Sequence, residues 1–195
     1  MKLVLATSNK GKIKEIKALC KNDEVIPYSE LIKEFEIIED GTTFKENALI
    51  KARAVFKALN DKDVVVLADD SGISVEALNG EPGIYSARYA GENANAKDNL
   101  NKLMHDIKAK GIGSSSAYYT AAIAIVTKDN EFSVHGWMHG KALPYAKGNN
   151  GFGYDPMFVP DGYTKTIGEL DEATKQKLSH RAKALKLAKI IIQNL

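Results

Sequence analysis

Apolar and polar positions run along this chain in two alternating rhythms. Residues 2–6 form a short apolar run of buried-strand type, and the polar turn Thr7-Ser8-Asn9-Lys10-Gly11 follows it. Ile13, Ile16, Leu19 and Cys20 then recur at helical spacing. Residues 24–28 and 35–38 read as short strands. Glu39-Asp40-Gly41-Thr42-Thr43 reads as a loop ending on a capping residue, after which Phe44, Ala48, Ala52 and Val55 mark a helix to about residue 58. Residues 64–68 are an apolar strand closed by Asp69-Asp70-Ser71-Gly72, and Leu78-Asn79-Gly80-Glu81-Pro82-Gly83 is turn-rich. A helix is expected over about 94–110, and a last one over about 172–193. Between them, residues 116–127 and 132–138 read as the two arms of an antiparallel hairpin turning at Asp129-Asn130. Alternating strands and helices with one long hairpin predict an α/β fold, a mixed sheet with helices packed around it.

Composition narrows the class without naming a function. The 195 residues are 44% hydrophobic and 27% charged, ordinary for a globular chain of one domain or two joined lobes. A net charge of +2 does not suggest a nucleic-acid partner. The single cysteine, Cys20, excludes an internal disulfide and suits a reducing compartment. The opening run is too short for a secretion signal and no stretch reaches membrane-span length, so a soluble, cytoplasmic protein without membrane partners is expected.

Four segments carry candidate chemistry. The adjacent acids Asp69 and Asp70, at the expected end of a strand before a glycine, would repel each other unless a cation lay between them. Mg²⁺ fits such a pair, since it takes a few carboxylate oxygens and keeps water and phosphate in the rest of its shell. The alternative is a turn in which Asp and Ser cap backbone N–H groups. Glu39-Asp40 is a second acidic pair, either a further metal ligand or a favourable charge at a helix start. The turn from Thr7 to Lys12 joins a strand to a helix, where unpaired N–H groups suit phosphate oxygens, although an ordinary cap flanked by lysines would look the same. No Walker pattern occurs. Gly148-Asn149-Asn150-Gly151-Phe152-Gly153-Tyr154-Asp155-Pro156 allows close backbone approach and offers aromatic faces and an acceptor to a planar base, or is a tight loop packed by its own aromatics. Lys175 and Ser179-His180-Arg181 supply donors for phosphate or a purine carbonyl, or simply a solvated helix face. His105, His135 and His139 read as uninvolved or structural.

Six strings follow one another in order along nearly the whole chain. They are Leu5-Ala6-Thr7-Ser8-Asn9-Lys10-Gly11-Lys12, Gly41-Thr42-Thr43-Phe44-Lys45-Glu46-Asn47-Ala48, Ala68-Asp69-Asp70-Ser71-Gly72, Gly83-Ile84-Tyr85-Ser86-Ala87-Arg88-Tyr89, Gly151-Phe152-Gly153-Tyr154-Asp155-Pro156 and Ser179-His180-Arg181. Together they resemble the inosine/xanthosine triphosphate pyrophosphatases, which cleanse the nucleotide pool of deaminated purines. The resemblance implies one domain over residues 1–195, an elongated two-lobed α/β form with flanking helices around a central mixed sheet, and an active site in the cleft between the lobes. It implies hydrolysis of ITP, dITP or XTP to the monophosphate and pyrophosphate with Mg²⁺, usually by a homodimer. Asp70 would be proton acceptor and magnesium ligand, with Glu39 a second ligand. Thr7, Ser8, Asn9, Lys10, Gly11 and Lys12 would hold the triphosphate. Ser71, Phe152, Gly153, Tyr154, Asp155, Lys175, His180 and Arg181 would contact the substrate. Two other readings remain at this point: a purine nucleotide sensor on the same fold that does not hydrolyse, and an RNA-binding module, against which the near-balanced charge argues.

Overall fold

A computed structural model describes residues 2–20 and 24–195. Among these residues six strands form one sheet: β1 (Lys2–Leu5), β2 (Val25–Pro27), β3 (Val64–Val75), β4 (Ser115–Val126), β5 (Glu131–Ala142) and β6 (Phe158–Pro160). Their order is β2-β1-β3-β4-β5-β6. Strand β1 runs parallel to β2 and β3, with Leu3 opposite Val25 and Val65. Strand β6 is antiparallel to β5, so the sheet is mixed as the sequence predicts. Strands β4 and β5 are joined by a turn at 127–130 in which Thr127 N donates to Asn130 O, a connection short enough only for antiparallel strands. Among the described residues, five α-helices flank the strands in sequence: α1 (Lys10–Leu19), α2 (Phe44–Leu59), α3 (Ala96–Ala109), α4 (Glu172–Leu178) and α5 (His180–Ile192). No helix among the described residues is long and apolar enough to cross a membrane.

The chain divides into two compact units. The first takes the residues up to Asp70, Ala121–Gly136 and Arg181–Leu195; the second takes Ser71–Thr120 and Trp137–His180. In the first unit the near-continuous apolar runs of β1 and β3 bury both faces, as parallel strands between helices do. Leu3, Leu5, Val65, Leu67, Ala121, Ile123 and Ile125 face Ile16 of α1 and Ala184, Leu185 and Ala188 of α5. Val4, Val64, Val66, Ala122 and Ala124 take the other face against Ala48, Ala52 and Val55 of α2. The second unit packs Ile73, Val75, Ala117, Tyr119, Met138 and Phe158 with Leu103 and Ile107 of α3.

Three elements differ from expectation. The strand read over 64–68 runs on to Val75, so Asp69 and Asp70 lie within it and not at its end. Ile73 and Val75 are fully buried, and their burial extends the strand through the polar stretch, with Gly72 part of it. Residues 35–38 form no strand: Phe35 and Ile38 are exposed, and the segment buries too little apolar surface to hold an extended pairing. The expected last helix is two, broken at Ser179, whose φ of -51° and ψ of 130° leave the helical region. Helical residues flank this one-residue break on both sides, so hydrophobic periodicity passes over it.

Candidate active site

In the first unit β3 distributes two carboxylates. Successive strand side chains point to opposite faces, so Asp69 and Asp70 turn away from each other. Asp69 is 1% exposed and accepts from Lys12 Nζ at 2.8 Å and Arg181 Nε at 3.2 Å. Arg181, at the start of α5 and itself buried, also pairs with Glu15 of α1. Lys12 and Glu15 stand three residues apart on one face of α1, which brings both to this set. Burial would raise the Asp69 carboxyl, but Arg181 and Lys12 outweigh it and hold it well below the usual carboxylate range.

Asp70 belongs to a second set. Lys51 Nζ lies 2.8 Å from Asp70 Oδ1 and 2.6 Å from Glu39 Oε2, one ammonium shared by two carboxylates. Lys51 sits on the inward stripe of α2 with Asn47, Ala48, Ala52 and Val55. Burial works to lower its pKa, and Asp70 and Glu39 together overcome this and raise it. The Asp70 carboxyl is raised above its ordinary value by burial, against the pull of Lys51 and Lys12. The loop bearing Glu39 is tied to α2 where Gly41 N donates to Asn47 Oδ1 at 2.9 Å. A Cβ at residue 41 would stand 2.6 Å from that oxygen, so only glycine permits the approach. Thr43 caps α2 and accepts from Glu46 N at 3.1 Å, as its sequence position predicts. Asp40 is exposed beside Glu39.

Asp70 Oδ2 is buried and has no hydrogen-bond partner. An orphaned carboxylate oxygen is costly unless a ligand completes it. No group of three or more His, Cys, Asp or Glu side chains is placed to hold a metal among the described residues. Two carboxylates suffice for Mg²⁺, which draws the rest of its shell from water and phosphate, so Glu39 and Asp70 fit that ion better than a metal needing a full protein cage. At the neighbouring turn, Asn9 caps α1, its Oδ1 accepting from Lys12 N at 3.1 Å, and Thr7 Oγ1 accepts from Asn9 N at 3.2 Å. Ser8 and Lys10 are exposed, and Thr7 and Gly11 partly so. Capping leaves other N–H groups of this helix start directed outward.

The second unit gathers another group. Asp155 is buried, and its Oδ2 accepts from Phe152 N at 2.9 Å and Lys175 Nζ at 2.8 Å. Gly151 makes this possible: its φ is +81°, and a Cβ there would stand 2.1 Å from Asp155 Oδ2. Lys175 Nζ also lies 4.8 Å from the centroid of the exposed Phe152 ring. His180 is buried, its ring stacked on Tyr119 at 4.8 Å. Tyr154 packs into the core and donates its hydroxyl to Ser86 O at 2.7 Å, leaving Phe152 as the accessible aromatic of the loop. Gly153 has a φ of +62°, and Ser71 is half-buried on β3.

Thus Lys12, Glu39, Asp70 and Arg181 meet partners in the first unit, and Phe152, Asp155, Lys175 and His180 in the second. Sequence reasoning missed Lys51, Glu15 and Tyr119. A signal existed for the first two: each is a charged residue on the inward stripe of its helix, and a buried charge requires a partner. His105 is exposed on α3, and His135 and His139 lie on β5.

These charges sit on a mixed sheet with helices on its faces, the architecture of an α/β protein. A model of the Ham1 family matches residues 3–190, and the chain belongs to that family. The chain is 67% identical to the dITP/XTP pyrophosphatase of Sulfurimonas denitrificans, over 100% of both chains. It is 56% identical to that of Nautilia profundicola, over 100% of this chain and 99% of the relative. Among solved structures, the Staphylococcus aureus Ham1 protein superposes with a TM-score of 0.86 at 39% identity, covering 100% of this chain and 99% of that one. A HAM1 protein from Coxiella burnetii gives a TM-score of 0.86 at 34% identity, with 100% of each chain covered. The family read from the six strings and the α/β mixed sheet are both borne out.

Proposed function

We propose that the protein hydrolyses non-standard purine nucleoside triphosphates (ITP, dITP and XTP) to the monophosphate and pyrophosphate, and so cleanses the nucleotide pool. The observation that carries this reading is the Lys51-bridged pair Glu39 and Asp70 with Asp70 Oδ2 unsatisfied. The names of the relatives supply the substrate class.

The chemistry follows from charge. A triphosphate repels an anionic nucleophile, so cations must screen it before water attacks. Mg²⁺ held by Glu39 and Asp70 would supply that screening and stabilise the departing pyrophosphate. Lys10, Lys12 and the N–H groups of the turn Thr7, Ser8, Asn9 and Gly11 bind phosphate oxygens. Asp70 takes the proton of the water attacking the α-phosphorus. Burial raises its pKa, which makes it a stronger base than a solvated aspartate. Arg181 and Asp69 hold Lys12 and the strand in place from beneath. In the second unit Phe152 and Gly153 face the base, Tyr154 braces the loop, and Asp155, Lys175, His180 and Ser71 contribute polar groups. Donors directed at a purine 6-oxo group meet an amino group in adenine, and both sides are then unpaired; such a mismatch discriminates by about 10⁴ or more in a closed site.

Mg²⁺ dependence, a homodimeric state and a cytoplasmic location belong to the same proposal. The family resemblance supports the first two, and the lack of a membrane-spanning helix among the described residues is compatible with the last. Steady-state assays of ITP, dITP, XTP, ATP and GTP with and without Mg²⁺ test the reading. We expect turnover of the first three, little of ATP, and none in excess chelator. Equal turnover of ATP and ITP contradicts it. Light scattering in solution tests the dimer.

A further inference from the structure

Tyr119, an aromatic of the second unit, engages two of the polar groups proposed for the base, Asp155 and His180. It lies on β4 with its side chain turned into the core, where its ring edge meets Phe158 at 4.9 Å. One face of the ring is stacked on the His180 imidazole at 4.8 Å with 15° between the planes. Its hydroxyl donates to Asp155 Oδ1 at 3.3 Å, while Asp155 Oδ2 is held by Lys175 and Phe152 N. Tyr119, Asp155, Lys175 and His180 are all below one-tenth exposed, so their mutual geometry is not averaged by water.

We infer that Tyr119 is a specificity-determining positioning residue, which sets the plane of His180 and the rotation of Asp155 and thereby the discrimination between 6-oxo and 6-amino purines. The inference rests on the nucleotide reading above and deepens it. A histidine ring is free to rotate about χ2 over a broad range unless something packs against its face. A parallel phenol ring restricts it to one plane, and the direction of both ring nitrogens follows. The Tyr119 hydroxyl is a donor on Asp155 Oδ1, so rotation of the carboxylate about its Oδ2 contacts stretches that bond. Hydrogen bonds weaken steeply away from linearity, so a base edge reads these groups correctly only when both are held. In this proposal Tyr119 acts through Asp155 and His180 and takes no part in the attack on phosphorus. Its removal therefore acts on base selection and leaves the chemical step in place.

The test compares wild type with Tyr119→Phe, which keeps the ring and loses the hydroxyl, and Tyr119→Leu, which loses both. Kinetics with ITP and ATP are paired with calorimetric binding of inosine 5′-monophosphate and adenosine 5′-monophosphate, and with thermal midpoints. For Tyr119→Phe we expect an unchanged fold, kcat on ITP within about threefold of wild type, and a roughly tenfold fall in the ITP-to-ATP ratio of kcat/KM carried by KM, the size of one lost hydrogen bond to a charged group. The monophosphate binding ratio should fall by the same factor, and Tyr119→Leu, if it folds, should lower both ratios further. A Tyr119→Phe enzyme that folds normally and keeps the wild-type ratios overturns the inference while leaving the nucleotide reading intact. A fall in kcat with unchanged ratios also overturns it. Wild type that does not distinguish ITP from ATP removes the nucleotide reading, and this inference with it.

Discussion

Asp69 and Asp70 are consecutive residues of one strand whose carboxylates are neutralised by different cations. Asp69 pairs with Lys12 and Arg181, and Asp70 with Lys51. The pleat of β3 turns them apart, so the two adjacent side chains form their ion pairs with different cations. The oxygens of Asp69 are occupied by protein cations, whereas Asp70 Oδ2 is buried without a hydrogen-bond partner.

Asp70→Asn keeps shape and removes the proposed base. We expect kcat on ITP to fall by about 10²–10⁴-fold, with nucleotide binding retained. Stopped and steady-state assays alongside calorimetric binding check this. Retained turnover would reject Asp70 as proton acceptor.

Lys51→Met leaves Glu39 and Asp70 without the cation they share. Breaking a buried ion set costs about 3–5 kcal/mol, somewhat less here because Glu39 is partly exposed. Since the two carboxylates then lose the cation they share, added Mg²⁺ should raise the thermal midpoint of Lys51→Met more than that of wild type. Calorimetric scans with and without the ion measure it, and equal shifts would contradict the shared-cation account.

Asp69→Asn tests the buried set through acid stability. The folded pKa of Asp69 lies below its unfolded value of about 3.9, so in the interval between them the unfolded chain binds the extra proton. Its contribution is therefore complete above about pH 5 and drains away as pH falls below the unfolded value. Denaturant titrations over that range should show wild type losing stability more steeply than Asp69→Asn, with the gap narrowing towards acid. A gap that is constant with pH would place the cost of the substitution in packing.

Gly151→Ala puts a methyl group where Asp155 Oδ2 now stands, on a backbone of φ +81°. The carboxylate must leave Lys175 and Phe152 N. We expect KM for ITP to rise by about tenfold or more with a smaller change in kcat, because the proposed function assigns these groups to binding and not to the attack on phosphorus. A variant with unchanged KM would dissociate Asp155 from substrate.

Much of this was legible in the residue pattern. β1, α1, α2, α3 and the β4–β5 hairpin follow from periodicity and capping, because each has a burial pattern of its own. The continuation of β3 through Asp69-Asp70-Ser71-Gly72 was not, since polar residues and a glycine are local stop signals and only the burial of Ile73 and Val75 in three dimensions overrides them. The break at Ser179 was hidden for the converse reason, a single non-helical residue between two good helices. Within the site, the motif strings carried Asp70, Lys12 and Asp155, and the family resemblance added Glu39 and Lys175, but partners distant in sequence carried the rest. Nothing near Asp69 announces Arg181, 112 residues on, as its counter-ion. Lys51 stood in view on an apolar helical stripe as a charge in need of partners, without any indication of which carboxylates would meet it.

The most direct measurement of the central claim is hydrolysis of ITP in ¹⁸O-labelled water with Mg²⁺, the products being separated and weighed by mass spectrometry. We expect one labelled oxygen in the monophosphate, unlabelled pyrophosphate, no orthophosphate, and near-complete loss of both products in Asp70→Asn. Label in pyrophosphate or release of orthophosphate would mean that water attacks a different phosphorus, and the assignment of Asp70, Glu39 and Lys51 to the α-phosphate would be wrong.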